Sequence, residues 1–165
     1  MYMTVLEFVE DWRRESGISL KVLRALTDQS LSQKSDPEGN ALGRIAYHMV
    51  KMIGGNGTAL GLEVAAPPRE AEPPAQAAQI AAEYEKAAQS LADQVTQKIT
   101  DSRLPTEITM FGRTMPLAVA LQTLIRHQIH HRGQMSILMR SAGVVVPGIY
   151  GPSREESAAM RARQK

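Results

Sequence analysis

The chain has 165 residues, 43% of them hydrophobic and 22% charged, with a net charge of +2 and no cysteine. That length and balance read as one globular domain over residues 1–165, and the lack of cysteine excludes disulfides, thiolate zinc sites, iron–sulfur clusters and a cysteine nucleophile. The small net charge and dispersed basic residues argue against nucleic acid, the short basic tail Arg161 to Lys165 aside. No apolar run reaches the roughly 18–20 residues of a membrane span. The mixed opening from Met1 to Arg14 is not a secretory signal, so the expected location is cytoplasmic.

In chain order, Val5, Phe8, Val9, Trp12, Leu20, Leu23 and Leu26 recur at helical steps and predict a first helix, with a kink or looser turn at Gly17. Asp36-Pro37-Glu38-Gly39 reads as a turn, and Asn40 as the N-cap of a second helix carrying Leu42, Ile45, Met49, Met52 and Ile53. Gly54-Gly55-Asn56-Gly57 is expected to weaken or end that helix, because each glycine costs roughly 1 kcal/mol relative to alanine. Pro67-Pro68 to Pro73-Pro74 is a linker. Ala77, Ala81, Tyr84, Ala88, Leu91 and Val95 mark a third helix, about Ala75 to Ile99, that packs closely through small residues.

Asp101 to Arg113 is expected to be a connection with a brief extended piece near Ile108 to Gly112. Thr114 is the expected cap of a fourth helix, with Pro116 in its first turn and Gly143 just past its end. Ser153 and Glu156 form the capping-box signature of a short final helix. Four long amphipathic helices without strand–helix alternation predict an all-α four-helix bundle with a short C-terminal extension.

The chain has four histidines: His48, His127, His130 and His131. Residues at i and i+4 lie about 40° apart on one helix face, so His127 and His131 share a side with Leu124, Gln134, Met135 and Leu138. His131 falls in the apolar stripe and is expected to point into the bundle. His130 faces elsewhere and reads as an outer-layer, interface or surface residue. Two readings stand on the residues alone. The histidines are ordinary core residues, or His48 joins His127 and His131 in a three-nitrogen site for a divalent metal. Three neutral imidazoles suit zinc or nickel, then iron or manganese, with positions left open to water or substrate.

His127-Gln128-Ile129-His130-His131-Arg132-Gly133-Gln134, followed by Leu138 and Ala142-Gly143, closely resembles the fourth-helix signature of the DinB/YfiT-like family. Ala41 to His48 resembles that family's second-helix motif, and Phe8 to Arg14 and Pro147 to Gly151 are also similar to its members. The resemblance implies an up-down-down-up bundle, often a homodimer, with a metal held by His48, His127 and His131. Two departures are visible: Tyr47 stands where many relatives have tryptophan, and Gly54 to Gly57 replaces a bulkier stretch, which predicts a wider or more mobile pocket there.

The function expected from the resemblance is a metal-dependent transferase that uses a low-molecular-weight thiol on a small electrophilic substrate. A chain without cysteine must take its thiol from outside. Arg44, Arg126 and Arg132 are candidates to hold an anionic substrate, although each also reads as a solvated or ion-paired surface arginine. A non-catalytic metal-binding protein associated with stress or DNA damage is the alternative. So is a metal-dependent hydrolase, but no Asp or Glu lies near the fourth-helix histidines to act as a base.

Overall fold

The computed structural model describes residues 1–164. Four long helices form the body: α1 (Val5–Arg24), α2 (Leu42–Ala59), α3 (Ala77–Lys98) and α4 (Leu117–Ser141). A two-residue-loop hairpin, β1 (Glu107–Met110) and β2 (Arg113–Pro116), precedes α4, and a short helix α5 (Arg154–Arg163) ends the described chain. One hydrophobic cluster draws side chains from all four long helices, including Phe8, Trp12, Ile53, Ile80, Leu91 and Leu121.

Hydrogen bonds between elements fix the path of the helices. The Val5 amide donates to Asp101 Oδ1 at 2.7 Å, and Arg24 pairs with Glu85 at 2.9 Å, so α1 and α3 are antiparallel. Tyr47 bonds Glu83 at 2.9 Å and the Glu63 amide, just past α2, bonds Gln94 at 3.2 Å, so α2 runs parallel to α3. The Ala118 amide donates to the Leu104 carbonyl at 2.9 Å, which starts α4 beside the end of α3. The helices therefore run up, down, down, up. Because α2 and α3 are parallel, residues 60–76 must return along the length of the bundle. Their paired prolines favour that extended course.

The glycines of α2 depart from expectation. The helix continues through Gly54 to Gly57 and ends only at Ala59. A Cβ on Gly54 would lie 2.7 Å from the Ala66 Cβ, and one on Gly57 would collide with Val64. These two glycines let the returning segment lie directly on α2, and that packing outweighs their poor helix propensity. A Cβ on Gly55 would meet nothing within 4 Å. Gly17 likewise sits on the exposed side of an unbroken α1, so the expected kink is absent.

Two expected caps are also corrected. The N-cap of α2 is Ala41, not Asn40, and it makes no side-chain cap bond; the Leu42 amide instead donates to the Gln33 carbonyl at 2.8 Å. Thr114 lies in β2 opposite Thr109, and α4 starts after Pro116, with the Leu117 amide bonded to the Thr106 carbonyl at 2.9 Å. In both cases a backbone carbonyl from a neighbouring segment satisfies a donor that a side chain usually serves. The Ser153–Glu156 capping box and the left-handed Gly143 (φ +74°) are as expected.

These contacts predict opposite outcomes at adjacent glycines. Gly57→Ala should lower stability by about 1–3 kcal/mol through overpacking, whereas Gly55→Ala should raise it by about 0.5–1 kcal/mol. Thermal denaturation of the two variants checks this.

Candidate metal centre

The seam between α2 and α4 carries His48 from one side and His127 and His131 from the other. One turn of α4 separates the latter two, and their Nε2 atoms lie 3.0 Å apart. The His48 ring centroid is 5.2 Å from that of His127 and 4.7 Å from that of His131, and each of the three residues offers one ligand atom within 4.8 Å of the others'. All three are half-buried. They sit at the edge of the helix interface rather than in the dry core, which corrects the expectation that His131 points fully inward. The buried line of α4 runs instead through Leu121, Leu124, Gln128, Arg132 and Met135.

That buried line holds two polar residues: Gln128, which sequence reasoning missed, and Arg132, which it placed at the surface or in a substrate site. Gln128 and Arg132 follow the two histidines by one position each, so they share the i, i+4 spacing but face about 100° away. Gln128 donates to the Met49 carbonyl at 3.2 Å, next to His48, and accepts from Tyr84 of α3 at 3.2 Å. Arg132 is fully buried, pairs with buried Glu15 of α1 at 2.5 Å, and also donates to the Glu15 carbonyl (2.8 Å), Ser19 Oγ (3.1 Å) and the Tyr150 hydroxyl. It is therefore neither a surface arginine nor a substrate clamp. The matching spacing of the Gln128/Arg132 and His127/His131 pairs was the available signal.

Gln134 Oε1 lies 2.7 Å from His131 Nδ1. An oxygen there accepts from Nδ1–H and leaves Nε2 with its lone pair toward the other two rings, the role of an acceptor that orients a metal-ligating histidine. His127 Nδ1 is buried without a partner. A hydrogen bond between the two Nε2 atoms accounts for that pair but leaves His48 uninvolved. A shared cation engages all three. Zinc–nitrogen bonds of about 2.0–2.1 Å in tetrahedral array put ligand atoms about 3.3 Å apart, close to the spacing of the α4 pair. The donor set fits a divalent metal.

Burial, then the nearby imidazoles, pushes the His127 pKa from 6.5 down to about 4. Burial also lowers His48 and His131. All three are thus held neutral, the form that ligates metal. The cluster opens on a cavity of about 550 Å³ that His48 and His131 share with Asn40, Arg44, Lys51 and Gln134. Among the described residues, no carboxylate lines it. Arg44 thus stands where an anionic ligand would enter, whereas Arg126 is exposed and lines no wall of this cavity. His130 is exposed, its ring 5.0 Å from that of His131 but outside the three-residue cluster. Tyr47 is buried and bonded to Glu83.

Two outcomes follow. In the metal-free protein the unfolded chain binds protons at these histidines while the folded chain resists them, so stability should fall as pH drops from about 6.5 toward 4. His127→Gln should flatten that dependence; an unchanged slope in urea melts would contradict the assignment. Glu15→Ala should cost about 3–5 kcal/mol by stranding the Arg132 charge, measurable by the same melts.

Comparison with known proteins identifies the family and the fold. The DinB family model matches residues 1–165. The Bacillus subtilis protein YrdA is 40% identical over 158 residues, covering 96% of this chain and 95% of that protein. A crystal structure of a DinB-like protein from Bacillus cereus superposes with a TM-score of 0.86 at 41% identity, covering 91% of this chain and all of that one. A second DinB-like protein, from Bacillus subtilis, shares the fold with a TM-score of 0.65 at 18% identity, over 90% of this chain and 99% of its own. The chain belongs to the DinB family.

Proposed function

We propose that this protein is a divalent-metal-dependent transferase that joins a low-molecular-weight thiol to a small electrophile, with His48, His127 and His131 holding the metal. The observation that carries the reading is the convergence of three imidazoles, two of which, His48 and His131, line a cavity that carries Arg44 and Lys51 and, among the described residues, no carboxylate. A dication there supplies a positive charge that lowers the pKa of a thiol or water at its open positions toward neutrality.

The chain's own residues supply the rest. Gln134 fixes the ring orientation of His131. Arg44 and Lys51 offer positive charge to the carboxylates that small biological thiols carry. No cysteine competes as nucleophile, so the sulfur belongs to the incoming thiol. Zinc or nickel suits the all-nitrogen donor set first, iron or manganese next. The lack of a carboxylate base in the cavity weighs against hydrolysis. It also keeps open the second reading, a metal-binding protein without turnover.

The test is consumption of free thiol by the full chain, with glutathione or cysteine against chlorodinitrobenzene and a simple epoxide, in the presence of each metal. The expected result is a metal-dependent rate above background that chelation abolishes and His131→Ala removes. Gln134→Ala should weaken metal affinity or rate by about 10–100-fold. No metal-dependent consumption with any pair would favour the non-catalytic reading.

A further inference from the structure

A second cavity, of about 700 Å³, is also lined by His48 and Lys51. It lies between α2 and the returning segment and differs from the first in chemistry. Gly54, Gly55, Val64, Ala66 and Pro67 line it, and Phe111 joins them from the hairpin tip. Lys51 and Arg69 are its cations, and among the described residues no carboxylate lines it.

Phe111 is the residue that sets this cavity apart. Its φ is +52° and Gly112 follows at +75°, the signs of a type I′ turn. That turn favours asparagine, aspartate or glycine at its first central position, and a bulky side chain is disfavoured there. Phe111 is nonetheless 65% exposed, so packing does not explain its place. Gly55 is equally unexplained by packing, because a Cβ there would meet only open space. Both oddities border the same volume, next to the histidine cluster. Backbone strain of this kind concentrates where a ligand is bound.

We infer that this cavity is the acceptor site: it takes a small aromatic electrophile bearing an anionic group, with the ring against Phe111 beside the bare Gly55 backbone and the anion toward Lys51 and Arg69. The inference rests on the transferase reading for the word acceptor. In that reaction the thiol sulfur bonds to an acceptor carbon, the bond from that carbon to its leaving group breaks, the leaving group departs with its electron pair, and the thiol proton goes to solvent. Both cavities are lined by His48, so the thiol and the acceptor each reach the histidine cluster from a cavity of its own.

The experiment is calorimetric titration of the full chain, metal-free and zinc-loaded, with anilinonaphthalene sulfonate, an aromatic anion. The expected result is one site per chain. Gly55→Leu, whose Cβ meets no other atom and whose side chain narrows the cavity, should weaken binding by at least about tenfold. Phe111→Asn should weaken it too while raising the melting temperature, since asparagine accepts the positive φ; a purely structural Phe111 would show the reverse. Gly17→Leu, on the far exposed face of α1, should bind as wild type, and all variants should keep the wild-type zinc content. Failure of the wild type to bind below millimolar concentration, or wild-type affinity in either cavity variant, would overturn the inference. The titration needs no turnover, so absent thiol consumption with variant-sensitive binding would sink the transferase reading and leave the ligand site. Thiol consumption whose acceptor KM ignores both variants would sink the site alone.

Discussion

A guanidinium buried away from water is costly unless a carboxylate stands beside it, and the Arg132–Glu15 pair imposes that condition on the whole bundle. It joins α4 to α1 near the middle of both, and Tyr150 closes the network from the loop beyond α4. One turn earlier, Gln128 ties α4 to α2 and α3. Together these bonds set the rotation of α4 about its axis. Given that rotation, the preceding residue of each pair, His127 and His131, must face the α2 seam. The site geometry is thus a consequence of two buried polar residues that never touch it.

This explains which parts were legible in the sequence. Apolar periodicity located all four long helices, because each buries one continuous stripe in a common core. The i, i+4 relation separated His127 and His131 from His130, because it is a property of the helix alone. Arg132 was misplaced because a charged residue in a polar run defaults to the surface. Only the partner 117 positions away in sequence puts it inside. The Asn40 and Thr114 caps failed for a related reason: carbonyls from neighbouring segments took over the bonds those side chains would have made.

The glycines show the same limit from the other side. Composition read Gly54 to Gly57 as a helix breaker, and local propensity supports that. The fold uses two of them to seat the returning segment and leaves Gly55 bare over a cavity. The expected end of the helix at these glycines does not hold. Propensity is local, whereas the close approach of residues 64–66 is set by the parallel α2–α3 topology.

The account depends on three imidazoles acting as one ligand set. Zinc titration of the metal-stripped chain, with direct metal analysis, tests that most directly. The account predicts one zinc per chain, strong loss of affinity in each of His48→Ala, His127→Ala and His131→Ala, and none in His130→Ala. Wild-type binding by His48→Ala, or no stoichiometric metal in the wild type, would contradict it.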